Sequence, residues 1–351
     1  MNATITRTRK PAPSPLTLAL ALHSDAVSAA LVNERGRVVA QAETTPKFQT
    51  TRAVIAALVE LIVELAHTDA RGASEIKAIG LCLPGQIDPH SQRVTIPTWK
   101  NWTRVPLLDL LERELDQAGY DIRQPAATTE AAAETRASGH PPVTLSPRAV
   151  ALAAAESWVG AARGKQHVVY VGLSETIESG ILSGGRALLG ADGLAGAVGW
   201  LALGESFKRD YETQGCLTIE GAQGALVRRA LEEFGGDQHS MLGSLMMETP
   251  GELTSAMVVR AARGGESHAR AVVTAHCRWL GRGLANLISL LNPEVVVLGG
   301  ELGAALVPFF DEIRAEARLW ALPEAARACK ILAATVEKHA ELIGVARLTH
   351  S

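Results

Sequence analysis

The hydrophobic positions of this chain fall into short continuous runs and into longer stretches with helical spacing. Continuous apolar runs at 18–22, 76–83 and 168–173 are bounded by turn-forming residues, and they predict buried strands. NPEVVVLGGELG at 292–303 predicts a short strand that leads through a Gly-Gly turn into a helix, and KILAATVE at 330–337 predicts a late strand. Buried strands that alternate with helical stretches indicate an α/β fold.

Two segments share one layout. LALALHSDAVSAALVNERGRVVA at 18–40 and VVYVGLSETIESGILSGGRALLG at 168–190 each read as strand, polar turn, strand, tight turn and strand. Alanine-rich sequence of helical type lies beside both segments. The pattern therefore predicts an internal duplication of one α/β unit, and two such halves commonly face each other across a cleft.

Apolar residues at helical spacing predict several helices. One covers 52–69, and another at 146–164 is expected to begin with Ser146 as its cap and Pro147 in its first turn. Gly160 or Gly164 is expected to end that second helix. Further helices are predicted near 218–234, 251–263 and 267–291, and a closing helix is predicted at 340–348.

The length of 351 residues is sufficient for two domains with sizeable cores. The basic, proline-rich start predicts a disordered tail at 1–15, and a polar, alanine-rich stretch predicts an insertion or linker at 116–145. The domains expected around them are an N-terminal α/β domain at 16–115, a larger C-terminal α/β domain at 146–338, and a closing helix at 339–351 that returns to the N-terminal domain.

Composition and charge argue against several functional classes. A net charge of −3 gives no basic surface for nucleic acid or an anionic membrane, and the basic N-terminal residues are too few for a DNA-binding arm. No apolar run approaches the roughly 20 residues that span a bilayer. The start lacks the apolar stretch of a secretory signal. The four cysteines lie far apart and form no CxxC pair, which argues against disulfides and a cysteine zinc site. These features predict a cytoplasmic protein.

Several motifs together carry a family resemblance. They are PGQID at 84–88, PTWKNW at 97–102, AAAESWVGAARGKQHVVYV at 153–171, GADGLAGAVGW at 190–200 and LGRGLANLISLLNPEVVVLGG at 280–300. Their order resembles the ROK family of repressors, open reading frames and sugar kinases, over nearly the whole chain. The resemblance implies a duplicated actin/hexokinase-type (ribonuclease H-like) two-domain fold with an interdomain cleft, and a homodimer.

The resemblance also implies where the kinase machinery of the family should lie. Kinase members phosphorylate a sugar with ATP and magnesium, and their first phosphate loop reads Asp-x-Gly-Gly-Thr. The matching run here is ALHSD at 21–25. The second loop, Gly-Thr-Gly-x-Gly in the family, becomes SETIE at 174–178. Glu175 and Glu178 would repel phosphates, and side chains replace the bare backbone that must approach them.

The catalytic, sugar-binding and zinc positions of the family differ as well. Arg148 stands at the catalytic aspartate, and a guanidinium cannot accept a proton from a sugar hydroxyl. In PTWKNW, Thr98 replaces the sugar-holding asparagine, and Asn101 is a further candidate. Ala197 and Trp200 replace a sugar-binding glutamate and a zinc-binding histidine. The zinc motif keeps only Cys216, and Thr218 replaces the glutamate that follows it.

Each candidate residue also has a structural interpretation. Arg148 could bind an anionic ligand at the helix N-terminus, or it could pair with Glu175 or Glu178 and fill the old cleft. Trp200, with Trp99 and Trp102, could stack on a ligand, although packing into a vacated site is favoured. His23 and Asp25 lack a third metal ligand. Gly299 and Gly300 keep the shape of a nucleotide-binding turn, which strand-to-helix packing also requires.

We therefore expect a non-catalytic ROK-like protein, without catalytic residues and without ATP, magnesium or zinc. It would bind a small sugar-like ligand, neutral or anionic, or a protein partner, in a regulatory role. One alternative is a divergent ATP-dependent sugar kinase. Another is a ROK-type transcriptional regulator without its own DNA-binding domain, since the segment before the first predicted strand is too short for the helix-turn-helix of ROK repressors.

Overall fold

The computed structural model describes residues 15–46, 50–68, 76–117, 140–234 and 253–350. The chain forms two compact units. The first unit consists of Met1–Arg163, Arg186–Ala195 and Val336–Ser351, and the second of Gly164–Gly185 and Gly196–Thr335. Each unit has its own sheet and its own hydrophobic core.

The sheet of the first unit has the strand order β3-β2-β1-β4-β7. Strands β1, β2 and β3 pair in antiparallel fashion, whereas β1, β4 and β7 run parallel. A separate hairpin is formed by β5 and β6. The strands are β1 (Leu16–Leu22), β2 (Val27–Asn33), β3 (Val38–Thr44), β4 (Ile76–Leu83), β5 (Gln86–Ile87), β6 (Val94–Thr95) and β7 (Val143–Pro147).

Strand β1 is buried on both faces because helices cover each side of the sheet. Leu18 and Leu20 face a core that includes α1 (Thr51–Thr68) and α2 (Leu107–Gln117). Ala19 and Ala21 face a smaller cluster with α3 (Arg148–Trp158) and α12 (Ala340–Leu348). Successive strand residues point to opposite faces. The alternation of leucine and alanine therefore gives β1 a thick layer of leucine side chains on one face and a thin layer of alanine side chains on the other.

The second unit repeats this layout. The second sheet has the order β10-β9-β8-β11-β12, and all of its strands except the two-residue edge strand β10 belong to the second unit. Strands β8 and β9 are antiparallel, and β8, β11 and β12 run parallel. The order matches that of the first sheet strand for strand, which confirms the predicted duplication. The strands are β8 (Val168–Leu173), β9 (Ile177–Ser183), β10 (Arg186–Ala187), β11 (Val295–Gly299) and β12 (Lys330–Ala333).

The helices of the second unit pack around the long helix α8 (Ser267–Leu291). Its N-terminus is capped by Glu266, whose carboxylate accepts from the N–H groups of His268 and Ala269, and it ends at Asn292 with a left-handed φ of 45°. The other helices are α4 (Tyr211–Gln214), α5 (Cys216–Gly221), α6 (Gln223–Phe234), α7 (Ser255–Arg263), α9 (Gly300–Ala305), α10 (Phe310–Trp320) and α11 (Pro323–Ala328). No helix in the described ranges is long and apolar enough to cross a lipid bilayer.

The helix expected at 146–164 is shorter than predicted. Pro147 restricts the residue before it to extended backbone, so Ser146 belongs to β7, and its hydroxyl donates to the carbonyl of Pro147. The predicted Ser146 cap is therefore wrong: Pro147 precedes the helix, which begins at Arg148 without a side-chain cap. The helix ends at Trp158, before Gly160 and Gly164.

The units also divide the chain differently from the sequence-predicted domains. The sequence pattern predicts that residues 146–163 belong to the C-terminal domain, but β7 pairs with β4 and α3 packs against α12 in the first unit. The closing segment rejoins the first unit from Val336. The predicted tail at 1–15 and linker at 116–145 lie mostly outside the described residues.

Candidate functional site

The sequence-predicted site residues are divided between the two units. The first unit holds Thr98, Asn101 and Arg148. The second unit holds Glu175, Ala197, Trp200, Thr218, Gly299 and Gly300.

Three charged or titratable side chains meet in the first unit around the end of β1. Arg148 is the first residue of α3, and Glu341 lies in the first turn of α12. The carboxylate of Glu341 is 3.9 Å from Nε of Arg148 and 3.5 Å from Nδ1 of His23, the residue after β1. The other imidazole nitrogen, Nε2 of His23, is 2.9 Å from the hydroxyl of Ser28. Glu341 therefore links the β1 turn to the start of α3.

This network changes the interpretation of Arg148. Arg148 forms an ion pair with Glu341, a partner that the sequence does not point to. Sequence reasoning missed Glu341 because it lies far from Arg148 along the chain. The available signal was its position in the first turn of a helix, where a carboxylate is favourable.

The motif PTWKNW combines a buried pair with two exposed residues. Trp99 and Trp102 are 7% and 1% exposed, and their rings meet edge to face at 4.9 Å between centroids. They pack in the core of the first unit, so the idea that they stack on a ligand is wrong. Thr98 and Asn101 are exposed, and Asn101 adopts a left-handed φ of 65°.

The second unit contains the turn that matches the second phosphate loop. The N–H of Ser174 donates to the carbonyl of Thr176, and the Ser174 carbonyl accepts from the N–H of Gln223. Glu175 is exposed in this turn. The side chain of Gln223 also donates to the carboxylate of Glu301 at 3.0 Å. Glu175 within the turn and Glu301 on the side chain of Gln223 add negative charge here, which disfavours a phosphate.

The turn after β11 keeps the shape expected of Gly299 and Gly300. Gly300 has φ of 78°, and a Cβ atom there would overlap with the carbonyl oxygen of Leu173. Glu301 follows directly, within the first turn of α9. The glycine turn is therefore retained together with a carboxylate beside it.

The glycine-rich loop GLAGAVGW at 193–200 serves close backbone packing. Gly193 has φ of 73°, and a Cβ atom there would overlap with the carbonyl oxygen of Ile87 in the first unit. In the second unit, a Cβ at Gly199 would overlap with the hydroxyl of Thr218. Thr218 is 4% exposed, so it fills the space beside the loop.

Trp200 differs from the packing role favoured by the sequence. The 3₁₀ turn Val198–Trp200 buries Val198 and Gly199 but leaves the Trp200 side chain 55% exposed. Ala197 is exposed as well. The packing interpretation of Trp200 is therefore wrong, and both positions face solvent.

We expect a Trp200→Ala variant to retain nearly all of its stability. A side chain that is 55% exposed loses little burial on truncation, so the free energy of unfolding should fall by no more than about 1 kcal/mol. Urea unfolding of this variant and of Phe207→Ala, whose side chain is 71% exposed, measures the effect. A loss of about 3 kcal/mol for Trp200→Ala, without a similar loss for Phe207→Ala, would instead show that the Trp200 side chain is buried.

A buried ionic cluster, which the sequence did not predict, holds the segment that matches the zinc motif. Glu220 in α5 is 6% exposed. Its carboxylate accepts from the ammonium of Lys208, from the hydroxyl of Tyr211 at 3.0 Å, and from Arg228 at 2.9 Å and Arg229 at 3.2 Å. One carboxylate thus joins the segment before α5 to helix α6.

The surroundings set the charge states in this cluster. Burial alone raises the pKa of Glu220, but hydrogen bonds from Lys208 and Tyr211 outweigh it and hold the pKa below 4.5. Arg229 also lies 2.9 Å from Nδ1 of His276. Since arginine can only donate, this nitrogen accepts and the imidazole is neutral. Burial, aided by the charge of Arg229, accordingly lowers the pKa of His276 to about 3.

Metal coordination would require ligands that converge. Across the ranges that the structure describes, no three His, Cys, Asp or Glu side chains group together as a metal site. Cys216, the one cysteine kept from the zinc motif, is buried.

Comparison with known proteins places these features in a family. The model of the ROK family matches residues 17–137 and 130–351, so the chain belongs to the ROK family. Its duplicated α/β fold is the actin/hexokinase-type fold of ROK sugar kinases. A ROK glucokinase from Streptomyces griseus, solved with glucose and AMPPNP, shares this fold with a TM-score of 0.69 and 23% identity, over 95% of this chain and 98% of that one.

Curated relatives include both enzymes and regulators. The glucokinase of Thermotoga maritima is 25% identical over 324 residues, which cover 92% of this chain and 93% of that protein. The N-acetylglucosamine repressor of Escherichia coli is 26% identical over 255 residues, 71% of this chain. That match covers 54% of the repressor, so the chain spans about half the length of this relative.

Proposed function

We propose that this chain is a non-catalytic ROK protein that binds a sugar or sugar acid in a regulatory role, acting on its target through a protein partner. The observation that carries the proposal is the Arg148–Glu341 ion pair at the first residue of α3. By resemblance, this position belongs to the catalytic aspartate of the kinases. A guanidinium paired with a carboxylate cannot take the proton of a sugar hydroxyl.

The phosphate-binding turns support the same proposal. Glu175 and Glu301 put negative charge next to the Ser174–Thr176 turn, and His23 occupies the first loop beside Glu341. We infer that ATP, magnesium and zinc are not bound. Homo-oligomer formation, the lack of direct contact with nucleic acid and the cytoplasmic location stay predictions from the sequence.

The class of ligand follows from the relatives and from Arg148. The relatives are named as glucokinases or as repressors for xylose and N-acetylglucosamine. Arg148 adds a cation at a helix N-terminus, where a carboxylate is favoured. Thr98 and Asn101 are accessible in the same unit for hydroxyl groups. A sugar acid would satisfy both features.

A thermal-shift panel tests the proposal. The panel contains neutral sugars, sugar acids, sugar phosphates, and ATP or AMPPNP with magnesium. We expect a sugar or sugar acid to raise the melting temperature and the nucleotides to leave it unchanged. Stabilisation by AMPPNP with magnesium would contradict the non-catalytic proposal.

An Arg148→Gln variant tests the role of the guanidinium. Loss of one charge-assisted contact should weaken binding of the sugar acid by about tenfold, with neutral sugars changed far less. Isothermal titration with parent, variant and Arg35→Gln measures this. Arg35 is an exposed arginine of the same unit and serves as the control. Equal affinity of parent and Arg148→Gln for the sugar acid would remove the anion site.

A second candidate function is a divergent sugar kinase. It is favoured by the Gly299–Gly300 turn, which keeps φ of 78° at Gly300 after strand β11. A coupled assay for ADP release over a panel of hexoses decides between the two functions. Turnover that depends on both the hexose and ATP would establish the kinase.

A further inference from the structure

A cavity of about 340 Å³ lies in the second unit, between the ends of α10 and α11 and the start of β12. Four basic side chains line it: Arg314, Arg318, Arg327 and Lys330. Its apolar floor includes Ile288 and Ile331. A volume of this order is at the lower end of small-molecule sites, which run from roughly 300 to 1,000 Å³.

Two of the four cations are held in place by the protein. Arg314 donates from Nε and Nη2 to the carbonyl of Ile331, at 3.1 and 2.9 Å, and from Nη1 to Asp311 at 2.9 Å. Arg327 pairs with Glu324 at 2.9 Å. Asp311 and Glu324 are 92% and 71% exposed, so these ion pairs are weak.

The other two cations have no such compensation. Within the described part of the chain, neither Arg318 nor Lys330 forms an ion pair. Counting the four cations and the two carboxylates, the cavity and its rim carry two excess positive charges. Arg318 and Arg327 lie in the last turns of α10 and α11, where a cation is favourable. Arg314 and Lys330 lie outside those turns, so helix ends do not account for them.

The cavity is separate from the retained glycine turn. Lys330 pairs with Val295 at the start of β11, whereas Gly299 ends that strand. Val295 and Gly299 are four positions apart in an extended strand, so about 13 Å separates them along β11. The cavity thus lies toward the opposite ends of the parallel strands from the turn that would contact a nucleotide.

We propose that this cavity is a second binding site, for a small dianion of the sugar-phosphate class. A phosphate monoester carries about −1.5 to −2 charges near pH 7, which matches the two excess positive charges. Arg314 offers a fixed guanidinium, and Arg318 and Lys330 supply mobile donors. The apolar floor accommodates a carbon skeleton. This site is independent of the function proposed for Arg148.

Isothermal titration of the full chain with glucose 6-phosphate tests the site. The test variant is Arg318→Gln/Lys330→Gln, and the charge-matched control is Arg52→Gln/Lys77→Gln, two exposed residues of the first unit. We expect saturable binding by the parent, at least about tenfold weaker binding by the test variant, and a change within about twofold for the control. Neutral glucose should not compete.

Arg148→Gln separates this site from the one proposed above. The cavity proposal expects Arg148→Gln to bind glucose 6-phosphate like the parent. Loss of binding in Arg148→Gln, with affinity kept in Arg318→Gln/Lys330→Gln, would overturn the cavity site in favour of Arg148. Absence of saturable binding by the parent would also overturn it and leave the four cations a role in stability alone.

Discussion

A Gly344→Ala variant is expected to lose about 3 kcal/mol of unfolding free energy. Gly344 lies in α12, where a Cβ atom would overlap with the carbonyl oxygen of Ala151 in α3. The backbone of Ala151 cannot move aside to relieve this overlap as the end of a flexible side chain could. One methyl group therefore forces the helices apart over the alanine face of β1, where Ala19 and Ala21 are fully buried.

Gly224→Ala is the matched control for this prediction. A Cβ atom at Gly224, in α6, has nothing within 4 Å, so the same substitution meets no obstacle. The control should keep its stability or gain up to about 1 kcal/mol from helix propensity. Urea unfolding followed by circular dichroism gives both values. Similar stabilities for the two variants would show that α12 and α3 are not in close backbone contact.

The displacement should also reach the polar network of the first unit. Glu341 and Arg148 lie on the same two helices, so a shift of α12 lengthens their ion pair. We expect any sugar acid that binds through Arg148 to bind Gly344→Ala with altered affinity, whereas Gly224→Ala should bind it normally.

A Glu220→Gln variant is expected to lose about 3 kcal/mol at pH 7. The carboxylate is the shared acceptor for Lys208, Tyr211, Arg228 and Arg229. Without it, Arg229 remains largely buried without its counter-charge. The Lys208 and Arg228 side chains are partly exposed, so water can solvate them after the substitution. The expected loss of unfolding free energy therefore lies at the lower end of the range for a broken buried ion pair.

The effect of Glu220→Gln should depend on pH with a defined sign. Because the pKa of Glu220 is lower in the folded protein than its ordinary value of 4.5, the carboxylate stabilises the fold fully above that value. Its contribution is lost as pH falls through the folded pKa. The stability difference between parent and variant should therefore be constant near neutral pH and shrink below about pH 4.5.

Glu232→Gln provides the control for this substitution. Glu232 also lies near Arg228, at 3.9 Å, but its side chain is 68% exposed. Its removal should cost less than about 0.5 kcal/mol at any pH. A Glu220→Gln variant that is as stable as Glu232→Gln would show that the cluster does not hold the segment before α5.

The sequence predicts most helices and strands of this protein because the patterns that define them lie within short stretches of the chain. Helix α8 was predicted at 267–291 and spans Ser267–Leu291, and the closing helix spans the predicted 340–348. The duplicated strand pattern also appears in both sheets. Apolar periodicity and turn residues carry this information within short windows. The motifs then identified the ROK family.

The contacts of the candidate site could not be predicted in the same way. Glu341 meets Arg148 only because α12 and α3 pack together after the whole chain has folded. The exposure of Trp200 depends on which side of a single 3₁₀ turn faces the core. The error at Ser146 differs in kind, because the restriction that proline imposes on the preceding residue was available in the sequence.

The thin alanine layer of the first unit has a consequence for synthesis on the ribosome. Domains generally fold in the order in which they emerge, the N-terminal one first. Here β1 is translated well before α12, the helix that covers Ala19 and Ala21. All of the second unit, which ends at Thr335, has by then been translated. The first unit is thus completed after the second, and the nascent protein must keep an unfinished sheet soluble until α12 is released.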